Sequence, residues 1–203
     1  MFCMKRIKDK YDVIIVGGGP AGSVCKPEIA KSGYSVCLFE KDRDIGYPVR
    51  CGEAIGFSGL NNHFKPKKTW IASEIVGAHL IAPNNKCIDV DFANEVGYIL
   101  NRRIFDYDIS RDAVLHGAEV YTKSYVEDLI IEDDFIKGVQ VNYLGSTISV
   151  KSHLVIGADG VESRVGRWAG IRTNVRMKDM ESALQYSVAN INLKQTDKMI
   201  MYV

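Results

Sequence analysis

The sequence has no apolar run approaching the roughly 18 residues that cross a bilayer as a helix. It has no C-x-x-C pair and no H-E-x-x-H pattern, and its four histidines lie far apart, so no zinc site or metalloprotease is written in it. An excess of one charge is also missing. Twenty-six basic and 25 acidic side chains leave +1, which provides no electrostatic footprint for nucleic acid. Internal repeats and low-complexity stretches are absent. The five cysteines (Cys3, Cys25, Cys37, Cys51, Cys87) are odd in number and scattered, unlike a disulfide framework. No secretory apolar region precedes Lys5-Arg6, so the expectation is a reduced, cytoplasmic protein. What remains is ordinary globular composition, 46% apolar and 25% charged, enough to bury a core in one domain or two small ones.

Against that plain background one segment stands out. Residues 11–16 form an apolar run, then Gly17-Gly-Gly-Pro-Ala-Gly22 places Gly17, Gly19 and Gly22 in G-x-G-x-x-G spacing before a helix. A second apolar run, residues 35–39, ends at Glu40, 23 residues after Gly17. Each part has a job at a dinucleotide. Gly17 permits the tight turn, Gly19 lets backbone approach a pyrophosphate, and Gly22 allows helix and strand to pack closely. The helix N-terminus offers unpaired N–H groups and a positive dipole end. The Glu40 carboxylate can accept from a ribose hydroxyl.

Along the chain, the pattern predicts a helix over 20–31 closed by Gly33, with a kink at Pro27, which lacks an N–H. Residues 41–59 read as a long loop. Strands are expected over 75–82 and 86–92 around Pro83-Asn84-Asn85, and over 97–100. Asn101 suits the N-cap of a helix over 102–116, with Ile104, Phe105, Ile109 and Ala113 inward and Gly117 past its end. A parallel strand at 119–123, a three-stranded meander (126–132, 135–143, 147–151) and, over 153–160, a further buried strand ending in a turn follow. A short helix at 163–168 and strands at 181–190 and 198–203 complete the reading. The fold class is α/β: a Rossmann-like unit with a three-stranded antiparallel meander, interleaved with part of an antiparallel sheet. Domain boundaries are expected at 1–63 with 97–172, and at 64–96 with 173–203.

Local chemistry leaves several residues open. Cys51, in Arg50-Cys-Gly-Glu53, fits either a cofactor contact beside Arg50 or a small residue packed in a loop. Cys25, Cys37 and Cys87 are expected in the core. Arg102 or Arg103 suits a phosphate, and equally a solvent-facing helix start. Asp159 suits a cofactor or a turn acceptor. Glu162, Arg164 and Arg167 are expected to form surface ion pairs. The Ser23 hydroxyl suits phosphate or a plain helix start.

The order of elements and three motifs resemble the FAD-dependent oxidoreductases of the para-hydroxybenzoate hydroxylase type. These motifs are Gly17-Gly-Gly-Pro-Ala-Gly22 with Glu40, Arg102-Arg-Ile-Phe-Asp106, and Gly157-Ala-Asp-Gly160. Within that group, Pro48-Val-Arg-Cys-Gly-Glu53 and Gly160-Val-Glu-Ser-Arg-Val-Gly-Arg-Trp-Ala-Gly-Ile171 resemble the geranylgeranyl reductase family, above all its archaeal digeranylgeranylglycerophospholipid reductase branch. The resemblance implies FAD bound by Gly17, Gly19, Pro20, Ala21, Gly22, Glu40, Lys41, Arg50, Cys51, Gly52, Arg102, Val126, Asp159 and Gly160, with Cys51 at the flavin ring. It implies reduction of isoprenoid C=C bonds on a membrane-lipid precursor, with NAD(P)H or ferredoxin as external donor and peripheral contact with a membrane. It further implies a segment beyond Val203 with a Gly-Asp motif, so the chain is expected to be the N-terminal half, completed by a partner chain or truncated. Two other readings stay open: an aromatic hydroxylase on the same fold, and an inactive nucleotide-binding fragment.

Overall fold

The computed structural model describes residues 6–203 apart from Asn94 and Lys194; of Lys26, Pro27 and Glu28 it describes the backbone alone. The elements in order are β1 (Lys10–Val16), α1 (Pro20–Lys31), β2 (Val36–Phe39), β3 (Ala54–Gly56), α2 (Phe57–Asn61), β4 (Ile71–Ile75), β5 (Gly77–Ile81) and β6 (Cys87–Asp91). Then come β7 (Gly97–Leu100), α3 (Arg102–Leu115), β8 (Glu119–Tyr121), β9 (Ser124–Glu132), β10 (Phe135–Tyr143), β11 (Ser146–Gly157), α4 (Arg164–Trp168) and β12 (Lys198–Tyr202). The kink expected at Pro27 falls on residues whose side chains lie outside the description.

Two compact units share the chain. The first comprises the residues up to Pro48 together with Asp106–Glu181; the second is Val49–Phe105 with Ser182–Val203. The expected boundaries at 63, 96 and 172 therefore shift. Residues 54–56 and 97–100 leave the first unit because β3 pairs with β7 and β7 pairs with β4, and Phe105 joins the second because its ring packs on Trp70 at 5.1 Å.

The first unit is one six-stranded sheet, β8-β2-β1-β11-β10-β9. Strands β8, β2, β1 and β11 are parallel, and β11, β10 and β9 form the antiparallel meander. Successive side chains of β1 point to opposite faces. Ile14 and Val16 join Cys37, Phe39, Val139 and Val150, while Val13 and Ile15 join Val36, Leu38, Ala113 and Ala118. Burial on both faces explains the unbroken apolar run, as expected of a central parallel strand.

The meander's third strand and the next parallel strand, expected as two, are one strand of 12 residues. Lys151 is the reason: it pairs with Gly138 on β10 and with Lys10 on β1, so the ladder changes partner without a break. Gly138 makes that approach possible. Its φ is +152°, and a Cβ there would lie 2.1 Å from the Val150 carbonyl oxygen. At the amino-terminal ends of the strands, the buried Glu119 carboxylate accepts from the hydroxyls of Tyr11 (2.5 Å) and Tyr121 (2.9 Å) and pairs with Lys8 at 3.0 Å. Burial, reinforced by Glu119, holds the Tyr11 phenol far above its ordinary range. Burial is also the largest influence on Tyr121, pushed up to about 12.

The second unit holds two three-stranded sheets, β3-β7-β4 and β12-β5-β6. The expected strand at 75–82 is β5, with Ile75 ending β4 instead; Val76 separates them. β5 and β6 form the expected hairpin, closed by Ala82 N to Lys86 O at 2.9 Å with Asn85 at φ +61°. β12 runs parallel to β5, and its Lys198 bridges Asp89 and Asp91 of β6 at 3.1 Å each. Phe64, Trp70 and Phe105 meet edge-to-face, with centroids 5.1–6.0 Å apart.

Other expectations are corrected. The loop over 41–59 contains β3 and the start of α2. Ile104 is 40% exposed, off the inward face that Phe105, Ile109 and Ala113 occupy. Only Cys37 is buried; Cys25 is half-buried and Cys87 exposed, because every residue of β6 is exposed. Cys3 lies outside the described residues. No strand forms over 181–190: the alternation of Leu184, Tyr186 and Val188 is present, but among the described residues no ladder partner faces it, and all three side chains are exposed.

Candidate functional site

The carboxyl ends of β1, β2 and β11 converge where the strand order reverses beside β1, the place at which open α/β sheets bind ligands. Gly17 makes the turn at φ +106°. A Cβ on it would lie 2.3 Å from the Ala158 carbonyl oxygen and 3.2 Å from the Asp159 Cα, so the two glycine motifs abut through main chain. Gly22 lets α1 close on the strand: a Cβ there would lie 2.1 Å from the Gly17 oxygen and 3.2 Å from Ile15.

Gly19 differs. It is the N-cap of α1 at φ −67°, and a Cβ on it meets nothing within 4 Å. Its space opens outward from the helix N-terminus, with Pro20 and Ala21 as the first helical residues. Pro20 has no N–H to satisfy there.

Glu40 Oε2 accepts from the Gly18 amide at 2.6 Å, and Oε1 from the Asp42 amide at 2.8 Å. The Glu40 amide bonds to the Tyr121 carbonyl at 2.9 Å, so β8 fixes the tip of β2. Glu162 pairs with Arg164 at 3.1 Å, as expected of surface ion pairs, and also with Lys41 at 2.5 Å. The Arg164 guanidinium bonds in turn to the Tyr125 hydroxyl.

Asp159 Oδ2 accepts from the amides of Arg164 and Val165 and so secures the start of α4, the turn-acceptor reading. Gly160, at φ +65°, has open space where a Cβ would be. The Ser23 hydroxyl, completely buried, donates to the Gly18 carbonyl at 3.2 Å, so its proton is taken up by the main chain of the turn. Val126 is 4% exposed with its side chain in the core, leaving only its main chain for a ligand.

The first unit thus gathers Gly17, Gly19, Pro20, Ala21, Gly22, Glu40, Lys41, Val126, Asp159 and Gly160. Arg50, Cys51, Gly52 and Arg102 belong to the second unit. There Cys51 is exposed; its amide donates to Gln185 Oε1 at 3.2 Å, and its Sγ accepts from the Glu53 amide at 3.3 Å. Glu53, at φ +64°, turns its Oε1 onto the Arg102 amide at 3.2 Å, and its carbonyl accepts from Leu100 at 2.9 Å. Glu53 therefore couples the Cys51 turn to the first turn of α3. It was missed as a site residue because its role rests on a left-handed backbone that no local pattern announces. The same unit holds an apolar cavity of about 440 Å³ lined by Ile55, Ile75, Phe92, Val96, Ile99 and Met199, among others, with Glu95 as its acidic member. Among the described residues no group of His, Cys, Asp or Glu is placed to hold a metal, and no helix is long and apolar enough to cross a membrane.

Known proteins align with this geometry. The chain is 45% identical over 192 residues to digeranylgeranylglycerophospholipid reductase 2 of Methanococcoides burtonii, covering 93% of this chain and 47% of the relative. It is 43% identical, over the same shares, to the digeranylgeranylglycerophospholipid reductase of Methanosarcina mazei. The chain spans about half the length of the curated relatives it matches. Among solved structures, a geranylgeranyl bacteriochlorophyll reductase-like protein of Thermoplasma acidophilum superposes with a TM-score of 0.74 at 38% identity, over 81% of this chain and 43% of the other. The myxobacterial FAD-dependent halogenase CndH, at TM-score 0.64 and 21% identity, shares the fold alone. The resemblance to geranylgeranyl reductases stated from the motifs is met again in these relatives. The profile of the FAD binding domain family matches residues 10–202, and the chain belongs to that family.

Proposed function

We propose that this chain supplies the FAD-binding part of a flavoenzyme that reduces isoprenoid C=C bonds on geranylgeranyl-type membrane-lipid precursors. The observation that carries the reading is the opening at Gly19, set between the first amides of α1 and the Glu40 carboxylate, in a chain whose relatives are named as reductases of a geranylgeranyl phospholipid. The residues suit the cofactor. Amides at the start of α1 donate to a pyrophosphate. Glu40 has accepted two of the roughly four hydrogen bonds a carboxylate can take, leaving capacity for a ribose hydroxyl. Gly160 leaves room beside Asp159 for a ribityl chain.

FAD, when bound, supplies the hydride chemistry; the protein's share is binding, orientation and exclusion of water. In this reading Lys41 and the Val126 main chain would hold the adenosine end of FAD and Arg102 its pyrophosphate, while Arg50, Cys51 and Gly52 would contact the flavin ring, with Cys51 orienting the alkene. The apolar cavity of the second unit has the size and lining of a small-ligand pocket and suits part of an isoprenoid tail. An external donor, NAD(P)H or ferredoxin, would reduce the bound FAD. The lipid is drawn from a membrane in peripheral contact.

The test is calorimetric titration of the chain with ADP and FAD, followed by an assay of geranylgeranyl-lipid reduction with dithionite in an enzyme of the relatives' length. Competitive binding of ADP and FAD and lipid reduction are expected. Absence of ADP binding overturns the reading.

A further inference from the structure

Acidic residues make up 25 of the 203 positions, yet none falls between Glu53 and Glu74. That stretch carries His63, Lys65, Lys67 and Lys68, all exposed. Among the described residues Lys65 and Lys68 have no ion-pair partner. The loop is not slack. Phe64 and Trp70, on either side of the lysines, pack edge-to-face with each other and with Phe105. The Asn101 amide holds the Trp70 carbonyl at 2.7 Å, Lys67 lies 4.7 Å from the Trp70 ring centroid, and Pro66 restricts the backbone between the lysines.

We infer that this basic loop, residues 63–68, docks the protein on an anionic phospholipid surface. The inference rests on the lipid-precursor reading above, since a substrate carried in a bilayer requires the enzyme to reach it there. Lysine ammonium groups are strongly hydrated point charges suited to a diffuse field of headgroups. Near an anionic leaflet each contributes about 1 kcal/mol, about fivefold in partitioning. A single-stranded nucleic acid fits less well, because it needs aromatic faces for base stacking. Phe64 and Trp70 spend theirs on each other and on Phe105.

The experiment is flotation of the chain with vesicles of phosphatidylcholine alone or with about 30% phosphatidylglycerol, at low and high salt. Binding to the anionic vesicles only, weakened by salt, is expected. Lys65→Gln with Lys68→Gln leaves the Lys67–Trp70 contact in place and should lower partitioning about 25-fold; adding Lys67→Gln brings the loss to about a hundredfold. In the double variant tryptophan emission and circular dichroism should stay parental. Lys137→Gln with Lys151→Gln, in the other unit, should change binding little. Equal binding to neutral vesicles, full retention by the triple variant, or preference for a single-stranded RNA overturns the assignment. ADP titration of the same preparations separates the two readings. Binding of ADP without flotation removes only the docking surface, and flotation without ADP binding removes only the flavoenzyme.

Discussion

The Glu40 carboxylate holds the Gly18 amide at 2.6 Å and so ties the tip of β2 to the turn after β1. One side chain thereby shapes the glycine turn, and under the proposed function the same carboxylate holds a ribose hydroxyl. Glu40→Gln keeps one acceptor oxygen and loses the charge. Charge-assisted hydrogen bonds contribute about 1.5–3 kcal/mol, so FAD affinity should fall at least about tenfold, with a smaller loss of folding stability. Flavin fluorescence titration beside a thermal melt reads both. Parental affinity in the variant would remove Glu40 from the ribose.

Gly17 and Gly19 should part company under substitution. Gly17→Ala places a Cβ 2.3 Å from the Ala158 oxygen at φ +106°, so the fold itself should lose on the order of 2–4 kcal/mol. Gly19→Val meets nothing within 4 Å and costs at most about 1 kcal/mol as a poorer N-cap, yet its side chain fills the pyrophosphate approach. Urea unfolding and ADP titration should therefore rank the two variants in opposite orders. A Gly19→Val chain that binds ADP like the parent contradicts the site.

What could be read from the sequence was whatever is local. The glycine turn, β1, β2, α3 and the 83–85 hairpin each declare themselves by periodicity, a cap or a turn residue. Choice of partner is not local. The join at Lys151 depends on two neighbours far away in sequence, and β3 exists because Ala54–Gly56 meets β7. The alternation at 184–188 says which face would pack, not that a neighbour is there. Cys87 is apolar enough for a core but lies on an edge strand. At the candidate site, the turn at Gly17–Gly22, Glu40 and the Gly157–Gly160 segment are written locally as motifs. Glu53 is not, since its contact with Arg102 follows from a left-handed φ.

The tyrosine pair around Glu119 sets a limit at high pH. Burial, helped by Glu119, raises both phenols above their ordinary value, Tyr121 to about 12 and Tyr11 further. Folding thus favours the protonated phenols, and above pH 10 the native state binds more protons than the unfolded chain. That stabilisation is complete below the unfolded value near 10 and is lost as pH rises through the folded values. Melting temperature should fall from about pH 10 to 12 as tyrosinate absorbance appears. Tyr121→Phe should flatten part of the fall, and an unchanged slope would mean that other groups govern it.

Glu53 and Cys51 offer the sharpest separation of positioning from packing. Glu53→Gly accommodates φ +64° without strain but removes the carboxylate from the Arg102 amide. The turn bearing Cys51 then keeps its backbone shape and loses its tether to α3. Cys51→Ser keeps the tether and changes the side chain. If Cys51 orients the alkene, both variants, made in an enzyme of the relatives' length, should slow lipid reduction about tenfold or more, because catalysis by orientation is steeply sensitive to small displacements. FAD affinity should change less than about threefold in either, since neither change touches the Gly17–Gly22 turn or Glu40, which lie in the other unit, and the Arg102 side chain is kept. Turnover against lipid concentration and flavin titration give the two numbers. Parental turnover in Cys51→Ser would make Cys51 a packing residue. Loss in Cys51→Ser alone would show that Glu53 does not position it.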